Sequence, residues 1–460
     1  MTSLAKVDAL IKKIDADTES KIDDIKVDDG VTKSLKDPSS FANIDEILIN
    51  YADINLNVNF NSRILSGYVI FTFKNVCNKA ITQVILDTRD LKIKEIFNES
   101  NNKSLKFVIG KGNNKVPTLG KPLIITLDKA TKNDIKLKIL YETSNKAEAI
   151  QWLNANQTAG KKLPYMFTQC QAIACRTMLP CQDSCSAKMQ YIANITVANI
   201  GYTVVMSAIP SGKSVSSDKK TVTFKFEQKI PIPSYLIAMV IGDLVRKDIS
   251  DRCGVWADPA VVDEGVFEFS NTDKMLTIAE NICGKYVWNR YDILLCPPAF
   301  PYGGMENPNL TFVTPTLIAG DKSLDNVIAH EIVHSWTGNL VTNRTWEHFW
   351  LNEGWTRFIE SKIMGRIRGK EYQKLDIINS KTAMDGSVAQ MNNGEFTKLN
   401  LSLKDADPDD AFSSIPYEKG SAFLRYLEEL VGGETIFESF IKKYVDNFKY
   451  KTLDTYDFKE

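Results

Sequence analysis

The sequence has no long hydrophobic run and no segment of the kind that directs a chain into a membrane or the secretory pathway. Its longest apolar run, Tyr235 to Ile241, is far shorter than the roughly 20 residues that a membrane-spanning helix needs. The segment from Met1 to Asp29 is dense in lysine and aspartate and lacks the apolar core of a secretory signal. We therefore expect no membrane insertion and a location in the cytosol.

The chain also lacks an excess of either charge. Its 56 lysine and arginine residues balance 57 aspartate and glutamate residues, and the formal net charge is −1. No segment concentrates basic residues in the way that binding to a nucleic acid or an anionic membrane would require. We expect no nucleic-acid partner. The charge balance does not exclude a small molecule or a lipid as the substrate.

Cysteine is scarce, with eight residues in 460. This number is far below that of a disulfide scaffold and is typical of a reducing compartment, where thiols stay free. Four of the cysteines lie close together, but their spacing differs from the CxxC pairs of structural zinc sites. We therefore predict that the following four residues do not bind a metal: Cys170, Cys175, Cys181 and Cys185.

The spacing of apolar residues divides the chain into three parts. Residues 1–36 carry a weak helical pattern and are interpreted as an N-terminal extension, either helical or mobile. In residues 37–242 apolar and polar side chains alternate strictly, for example from Ile54 to Phe60, from Ile135 to Ile139 and from Val222 to Phe226. Such alternation is typical of strands with one solvated face, so we predict an antiparallel, all-β domain there.

Residues 243–460 change to a helical period, from Met275 to Ile282 and again from Ala422 to Leu430, where Gly432 follows. This part is predicted to be a mixed, mostly helical α+β domain. The last residues offer helix caps at Thr452 and Thr455, yet the sequence ends at Glu460 before that helix could be completed. We expect that the natural protein continues beyond this chain.

The chain has only three histidines, and two of them, His330 and His334, stand four residues apart with Glu331 directly after the first. On a helix this spacing places both imidazoles on one face, where they can bind one zinc ion. A metzincin would supply a third histidine at the position of Leu340, and that class is therefore excluded. A structural histidine pair remains the alternative.

A catalytic zinc ion needs a third protein ligand. The better candidate is Glu353, because the eighteen residues between His334 and Glu353 leave room for a loop and a returning helix. The flanking Trp350 and Trp355 indicate that this turn is buried, where an unpaired carboxylate would be costly. His348 lies in an aromatic run and is predicted to be a buried, hydrogen-bonded side chain instead.

Glu331 is the candidate general base. A carboxylate beside a zinc ion can accept a proton from water as the water attacks an amide carbon, and can then return the proton to the leaving amine. A negative charge develops on the carbonyl oxygen during this reaction, and zinc together with a tyrosine hydroxyl could stabilise it. The pattern therefore predicts metal-assisted hydrolysis.

Three separated segments resemble those of the zinc aminopeptidases with a gluzincin catalytic domain, closest to the leukotriene A-4 hydrolase branch. They are HEIVHSWTGNLVTNRTWEHFWLNEGW, PYGGMENPNLTFVTPTLIAGDKSLDNVIAHE and SSIPYEKG. The resemblance extends from about Asp37 to the end of the chain. It implies a saddle-like β domain, a thermolysin-like catalytic domain and a helical C-terminal domain that is absent here.

The resemblance also implies roles for single residues. His330, His334 and Glu353 correspond to the ligands of one zinc ion, and Glu331 to the general base. Tyr417 corresponds to the tyrosine that stabilises the tetrahedral intermediate. A further set corresponds to substrate contacts: Gln169, Cys170, Gln171, Pro301, Tyr302, Gly303, Gly304, Met305 and Glu306.

Within that set, Gly303 to Asn307 match the family's GxMEN exopeptidase motif. Two glycines let the backbone approach a substrate strand closely, and Glu306 can pair with the free α-ammonium group of a peptide. Gln171 is implied as the second contact of that group. The resemblance therefore implies an enzyme that removes single residues from the amino termini of short peptides.

A second activity is implied by Asp409, which matches the aspartate that directs water onto the epoxide of a fatty acid in leukotriene hydrolases. Phe412 departs from the tyrosine of the vertebrate enzymes, and the basic residues that hold the lipid carboxylate belong to the absent domain.

We keep two alternatives to the aminopeptidase: a thermolysin-like endopeptidase, and a peptide-binding relative without catalysis. We also expect this 460-residue chain alone to have impaired activity or stability, since a surface made for a third domain would be exposed.

Overall fold

The computed structural model describes residues 37–460. The predicted N-terminal extension, residues 1–36, lies outside the described residues. Among the described residues, no helix combines the length and the apolar character that crossing a membrane requires.

The amino-terminal part of the described chain is built of strands. In chain order these are β1 (Ile47–Asn59), β2 (Ile64–Asn75), β3 (Ile81–Thr88), β4 (Lys92–Asn98), β5 (Lys103–Ser104), β6 (Lys106–Ile109), β7 (Lys121–Thr131), β8 (Ile135–Glu142), β9 (Ile150–Leu153), β10 (Tyr165–Thr168), β11 (Met189–Ala198), β12 (Thr203–Met206), β13 (Ile209–Val215), β14 (Thr221–Ile232) and β15 (Met239–Gly242). They form an eight-stranded sheet, β13-β14-β11-β1-β2-β8-β4-β5, a four-stranded sheet, β12-β15-β10-β9, and a three-stranded sheet, β3-β7-β6.

The three alternating segments of the sequence lie in β1, β8 and β14, except that β1 ends one residue before Phe60, so the strand prediction is confirmed. The prediction that this domain is antiparallel throughout is wrong at one pair, because β1 and β11 run parallel, with Tyr51 opposite Gln190. A hairpin fixes β1 and β2 as antiparallel neighbours, whereas β11 follows β1 only after about 130 residues of intervening chain, so no tight turn dictates its direction.

The carboxy-terminal part combines a mixed sheet with helices. A five-stranded sheet has the order β16-β17-β18-β20-β19, and a short pair joins β21 to β22. The strands are β16 (Val245–Asp248), β17 (Cys253–Ala257), β18 (Tyr291–Leu295), β19 (Gly304–Met305), β20 (Leu310–Val313), β21 (Thr342–Asn343) and β22 (Thr452–Leu453). The helices are α1 (Val262–Glu268), α2 (Thr272–Cys283), α3 (Asn326–His334), α4 (Trp350–Arg368), α5 (Lys370–Gln390), α6 (Ile415–Val431), α7 (Glu434–Phe448) and α8 (Thr455–Lys459).

Both predicted helical stretches are helices, α2 and α6, and α6 ends before Gly432, whose φ of 109° lies in the left-handed region. The order of an all-β part followed by a helix-rich α+β part is thereby confirmed. At the end of the chain, the cap of α8 is Asp454, whose carboxylate accepts hydrogen bonds from the backbone N–H groups of Tyr456 and Asp457. This is a different residue from the two threonines that the sequence suggested.

Helices α4 and α6 cross at two glycines. A Cβ atom on Gly354 would lie 2.8 Å from the Cα atom of Gly420, and the reverse distance is also 2.8 Å. Only two glycines permit so close an approach of the helix backbones. The crossing matters for function because α4 carries Glu353 and α6 carries Tyr417.

His348 is buried, as predicted, with its Nδ1 atom 2.9 Å from the hydroxyl of Thr455.

The four clustered cysteines are also buried, and all eight thiols are free. Although Cys175, Cys181 and Asp183 lie within 4.8 Å of one another, the carboxylate of Asp183 is engaged by Arg176 and by the hydroxyl of Ser234. Burial also raises the pKa of the Cys181 thiol well above its usual value, as is typical of a buried structural cysteine.

Candidate active site

Three side chains from two helices converge on one point. His330 and His334 project from the same face of α3, and their Nε2 atoms are 3.1 Å apart. Glu353, in the first turn of α4, places its Oε2 atom 3.2 Å from Nε2 of His330 and 3.3 Å from Nε2 of His334. The structure therefore brings the three predicted ligands together.

The donor atoms of this triangle fit a zinc ion. Nδ1 of His334 is 2.9 Å from the backbone oxygen of Thr337, and Nδ1 of His330 is 3.0 Å from the carboxylate of Glu360. These partners accept hydrogen bonds, so each Nδ1 carries the proton and each Nε2 presents a lone pair. Tetrahedral zinc with bonds of about 2.0–2.1 Å separates its ligands by roughly 3.3 Å, which agrees with the sides of the triangle.

The electrostatics of the site favour positive charge at this point. Burial opposes protonation of His334, but Glu353 and Glu306 outweigh it and raise the pKa of His334 to about 9. Burial likewise opposes ionisation of Glu353, yet the two histidines outweigh it and lower the pKa of that carboxyl to about 2. A site that stabilises a cationic imidazole so strongly also stabilises a bound metal cation.

Glu331 lies beside the triangle without joining it. Its side chain is buried, and its Oε2 atom has no hydrogen-bond partner in the described part of the chain. Burial raises the pKa of Glu331 to about 8. A buried carboxylate oxygen without a partner is costly to retain, and it is suited to accept a proton from a bound water molecule.

Glu306 lies beside the same centre. Its carboxylate, a carboxylate oxygen of Glu331 and a ring nitrogen of His334 all lie within 4.8 Å of one another. Nε2 of Gln171 donates to Oε1 of Glu306 at 3.4 Å, and Nδ2 of Asn339 donates to its backbone oxygen at 2.7 Å. Glu306 is thus a buried carboxyl group, held at two points, directly beside the candidate general base. Burial raises its pKa above the usual value.

A cavity of about 760 Å³ joins these groups. Six of the predicted substrate contacts line it: Gln171, Pro301, Tyr302, Gly303, Gly304 and Glu306. The other three, Gln169, Cys170 and Met305, do not line it. Met305 is buried in β19 between two residues that face the cavity, as the alternation of a strand requires, and the amide of Gln169 contacts its sulfur at 3.1 Å.

Gly304 has a role that the sequence did not reveal. A Cβ atom at this position would lie 2.3 Å from Oε1 of Glu331, which is closer than any side chain permits. A Cβ atom at Gly303 would have its nearest neighbour at 3.9 Å. The second glycine of the motif therefore leaves room for the candidate base as well as for a substrate.

Tyr417 reaches the centre from the first turn of α6. Its ring stacks on the imidazole of His330, with centroids 5.8 Å apart and planes inclined by 21°. Burial, together with the charges of Glu353, Glu306 and Glu331, raises its pKa well above the usual value. The hydroxyl thus stays protonated and can donate a hydrogen bond to an oxyanion.

Asp409 and Phe412 form another part of the cavity wall. Burial of the Asp409 carboxyl, reinforced by Asp407 and Glu148, raises its pKa to about 6. The ring of Phe412 is half exposed and lies edge-on to Tyr417 at 6.1 Å. An acidic group and an exposed aromatic ring therefore line the same cavity as the candidate metal ligands.

Two residues that contact the histidines of the candidate metal site were not predicted from the sequence. Glu360 accepts from Nδ1 of His330, and Thr356 lies with its hydroxyl 3.1 Å from Nδ1 of His334. Thr356 follows Glu353 on α4 by three residues and Glu360 follows it by seven, and both intervals return to the same helix face. That spacing was a signal that could have identified them.

The two halves of the chain match two models of one family. Residues 48–236 match the Peptidase M1 N-terminal domain, and residues 267–460 match the Peptidase family M1 domain. Among curated proteins, the chain is similar to leukotriene A-4 hydrolase of Xenopus laevis, with 44% identity over 93% of this chain and 70% of that protein. Leucine aminopeptidase 2 of Yarrowia lipolytica is 42% identical over 92% of this chain and 64% of that protein.

A solved structure is also similar. Yeast LTA4 hydrolase in complex with bestatin matches with a TM-score of 0.86 and 38% identity, over 94% of this chain and 66% of that one. The chain thus spans about two thirds of the length of the relatives that it matches.

Proposed function

The chain belongs to peptidase family M1, and from that premise we propose that it is a zinc-dependent aminopeptidase acting on short peptides with a free amino terminus. The observation that carries the proposal is the distance of at most 4.8 Å between the carboxylates of Glu306 and Glu331. Within one residue, the amino nitrogen and the carbonyl carbon are only about 2.5 Å apart. A charge that binds the α-ammonium group beside the general base therefore selects the first peptide bond.

In this mechanism each side chain of the site has a separate role. Glu306 pairs with the α-ammonium group while Gln171 holds the carboxylate of Glu306 in place. A zinc ion held by His330, His334 and Glu353 would polarise the scissile carbonyl group and lower the pKa of water. Glu331 accepts the proton of the attacking water and passes it to the leaving amine.

Tyr417 completes the site. Its neutral hydroxyl, held over His330 by ring stacking, donates to the carbonyl oxygen as negative charge develops there. Because the site is buried, such a hydrogen bond is stronger in the transition state than it would be in water.

We propose hydrolysis of an epoxy fatty acid as a second activity of the same cavity. The observation that favours it is that Asp409, an acidic group, lines the cavity together with the metal ligands. The similarity to a leukotriene A-4 hydrolase supports the same proposal.

We also propose a cytosolic location, which the eight free thiols support.

Turnover of a panel of aminoacyl-nitroanilides by zinc-loaded protein tests the main proposal. We expect hydrolysis by the wild type, and a loss of at least about a hundredfold in kcat for Glu331→Gln with zinc retained. Acetylation of the substrate's α-amine separates the alternatives. An aminopeptidase should lose activity on the acetylated peptide, whereas undiminished cleavage would identify an endopeptidase. Absence of turnover by the wild type would favour a peptide-binding protein.

A further inference from the structure

A cluster of charged side chains lies behind the metal ligands, where α4, α5 and α6 meet. Arg357 of α4 is at its centre, with Asp376 of α5 and Glu418 of α6 as partners. All three have side chains less than 20% exposed. Neither the peptidase chemistry nor the family motif in PYEKG gives Arg357 a role.

The guanidinium group of Arg357 contacts three carboxylates from three directions. Nε donates to Glu418 at 3.2 Å, and Nη1 and Nη2 donate to the two oxygens of Asp376 at 3.2 and 2.5 Å. Nη1 also lies 3.4 Å from Oε1 of Glu360. The planar fork of an arginine holds five N–H donors in fixed directions, which suits contacts with three carboxylates around one plane.

One branch of this cluster leads to the metal site. Oε1 of Glu360 faces Arg357 and also accepts from Nδ2 of Asn326 at 3.2 Å. Its Oε2 atom is therefore the one that accepts from Nδ1 of His330, at 3.0 Å. By holding one oxygen of Glu360, Arg357 directs the other toward the histidine and so fixes the ring that carries Nε2.

The other branch leads to the candidate oxyanion donor. Glu418 follows Tyr417 directly in the first turn of α6. Its carboxylate is held by Arg357 and by the hydroxyl of Ser380 on α5. A carboxylate fixed at two points restrains the first turn of α6, and Tyr417 is in that turn.

We propose that Arg357 is a positioning residue that sets the orientation of both the His330 imidazole and the Tyr417 hydroxyl. This inference rests on the proposed peptidase function for the role of Tyr417, but not for the role of His330. Arg357 lines the cavity, yet its donors are already engaged by carboxylates. It therefore supports the reacting groups and does not bind an anionic part of the substrate.

The test compares Arg357→Lys with wild type in the longest soluble form of the protein. A lysine keeps the charge but reaches only part of the cluster. We expect kcat on an aminoacyl-nitroanilide to fall about tenfold with KM within twofold. We also expect the zinc dissociation constant, measured by chelator competition, to rise about tenfold, as is typical when a partner of a ligating histidine is disturbed.

Arg366→Lys is the matched control. Arg366 is on the same helix and ion-pairs with Glu434 and Glu438 of α7, but it does not line the cavity. Its replacement should leave kcat, KM and zinc affinity unchanged. If both arginine variants lowered kcat equally, a general loss of helix packing would explain the result and the proposal would be overturned.

Glu418→Gln separates the two branches and covers the case in which Arg357→Lys does not fold. This variant removes the charge that restrains Tyr417, while Asp376 still holds Arg357 in place. We therefore expect kcat to fall several-fold and zinc affinity to stay at the wild-type value. Unchanged kcat in folded Glu418→Gln, unchanged zinc affinity in folded Arg357→Lys, or a rise in KM alone would each contradict the proposal. If wild type itself showed no turnover, the proposed function would fail, and zinc affinity would still decide the His330 branch.

Discussion

Gly304 lies so close to Glu331 that a single added carbon would meet the carboxylate, with an ideal Cβ atom 2.3 Å from Oε1. The candidate base and the strand that lines the substrate cavity are therefore in direct contact. Gly304 of β19 and Glu331 therefore line neighbouring parts of the same cavity.

Gly304→Ala is expected to lower kcat strongly, by about a hundredfold, because the methyl group must displace the carboxylate of the candidate base, Glu331. Zinc binding should persist, since the three ligands are not touched. The measurements are kcat and zinc stoichiometry. Gly303→Ala, with 3.9 Å of clearance, should lose far less activity, and equal losses in the two variants would argue against displacement of Glu331.

Tyr417→Phe should lower kcat by about two to three orders of magnitude, the usual loss for an oxyanion donor in a buried site. The ring stacking on His330 needs no hydroxyl, so zinc affinity and the melting temperature should stay near those of the wild type. Steady-state kinetics together with chelator competition would check this. A variant that loses zinc instead would show that the hydroxyl supports the metal site rather than the oxyanion.

Gly420→Ala tests the close crossing of α4 and α6. The added methyl group would lie 2.8 Å from the backbone of Gly354, so the helices must separate at an expected cost of about 1–3 kcal/mol. Tyr417 is one turn away, so kcat should fall together with the melting temperature.

Gly386→Ala is the control for this crossing, because a Cβ atom at Gly386 in α5 meets nothing within 4 Å. That replacement should raise stability by up to about 1 kcal/mol through helix propensity. A Gly420→Ala protein as stable as Gly386→Ala would refute the steric argument.

His348 should make folding stability depend on pH. Burial lowers its pKa from 6.5 to about 4, so between these values the unfolded chain binds a proton that the folded protein does not. The stabilisation is complete above pH 6.5 and is lost as the pH falls toward 4, by up to about 3 kcal/mol.

The measurement for His348 is urea unfolding at pH 7 and pH 5, for wild type and His348→Gln. The variant lacks the titrating group, so its free energy of unfolding should fall less between the two pH values. An equal fall in both proteins would mean that His348 does not titrate abnormally.

The position of the candidate metal site could be predicted from the sequence because it depends on short spacings. A separation of four residues on a helix places His330 and His334 on one face whatever the rest of the fold does. Strict alternation likewise identified β1, β8 and β14, since a strand with one buried face has no other pattern available. The spacing from His334 and the flanking tryptophans suggested Glu353, and the resemblance to the aminopeptidases added Tyr417. The structure brings both side chains to the same cavity.

Only the tertiary structure decided which elements that are distant in the sequence contact one another. The parallel pairing of β1 with β11, the contact of Gly304 with Glu331 and the cluster around Arg357 each join segments whose meeting no local period encodes. Gln169, Cys170 and Met305 belong to matching motifs, yet their side chains do not line the cavity, because strand alternation and core packing turn them away. Local geometry follows from the backbone and is readable in the sequence, whereas contacts between elements depend on how whole faces pack together.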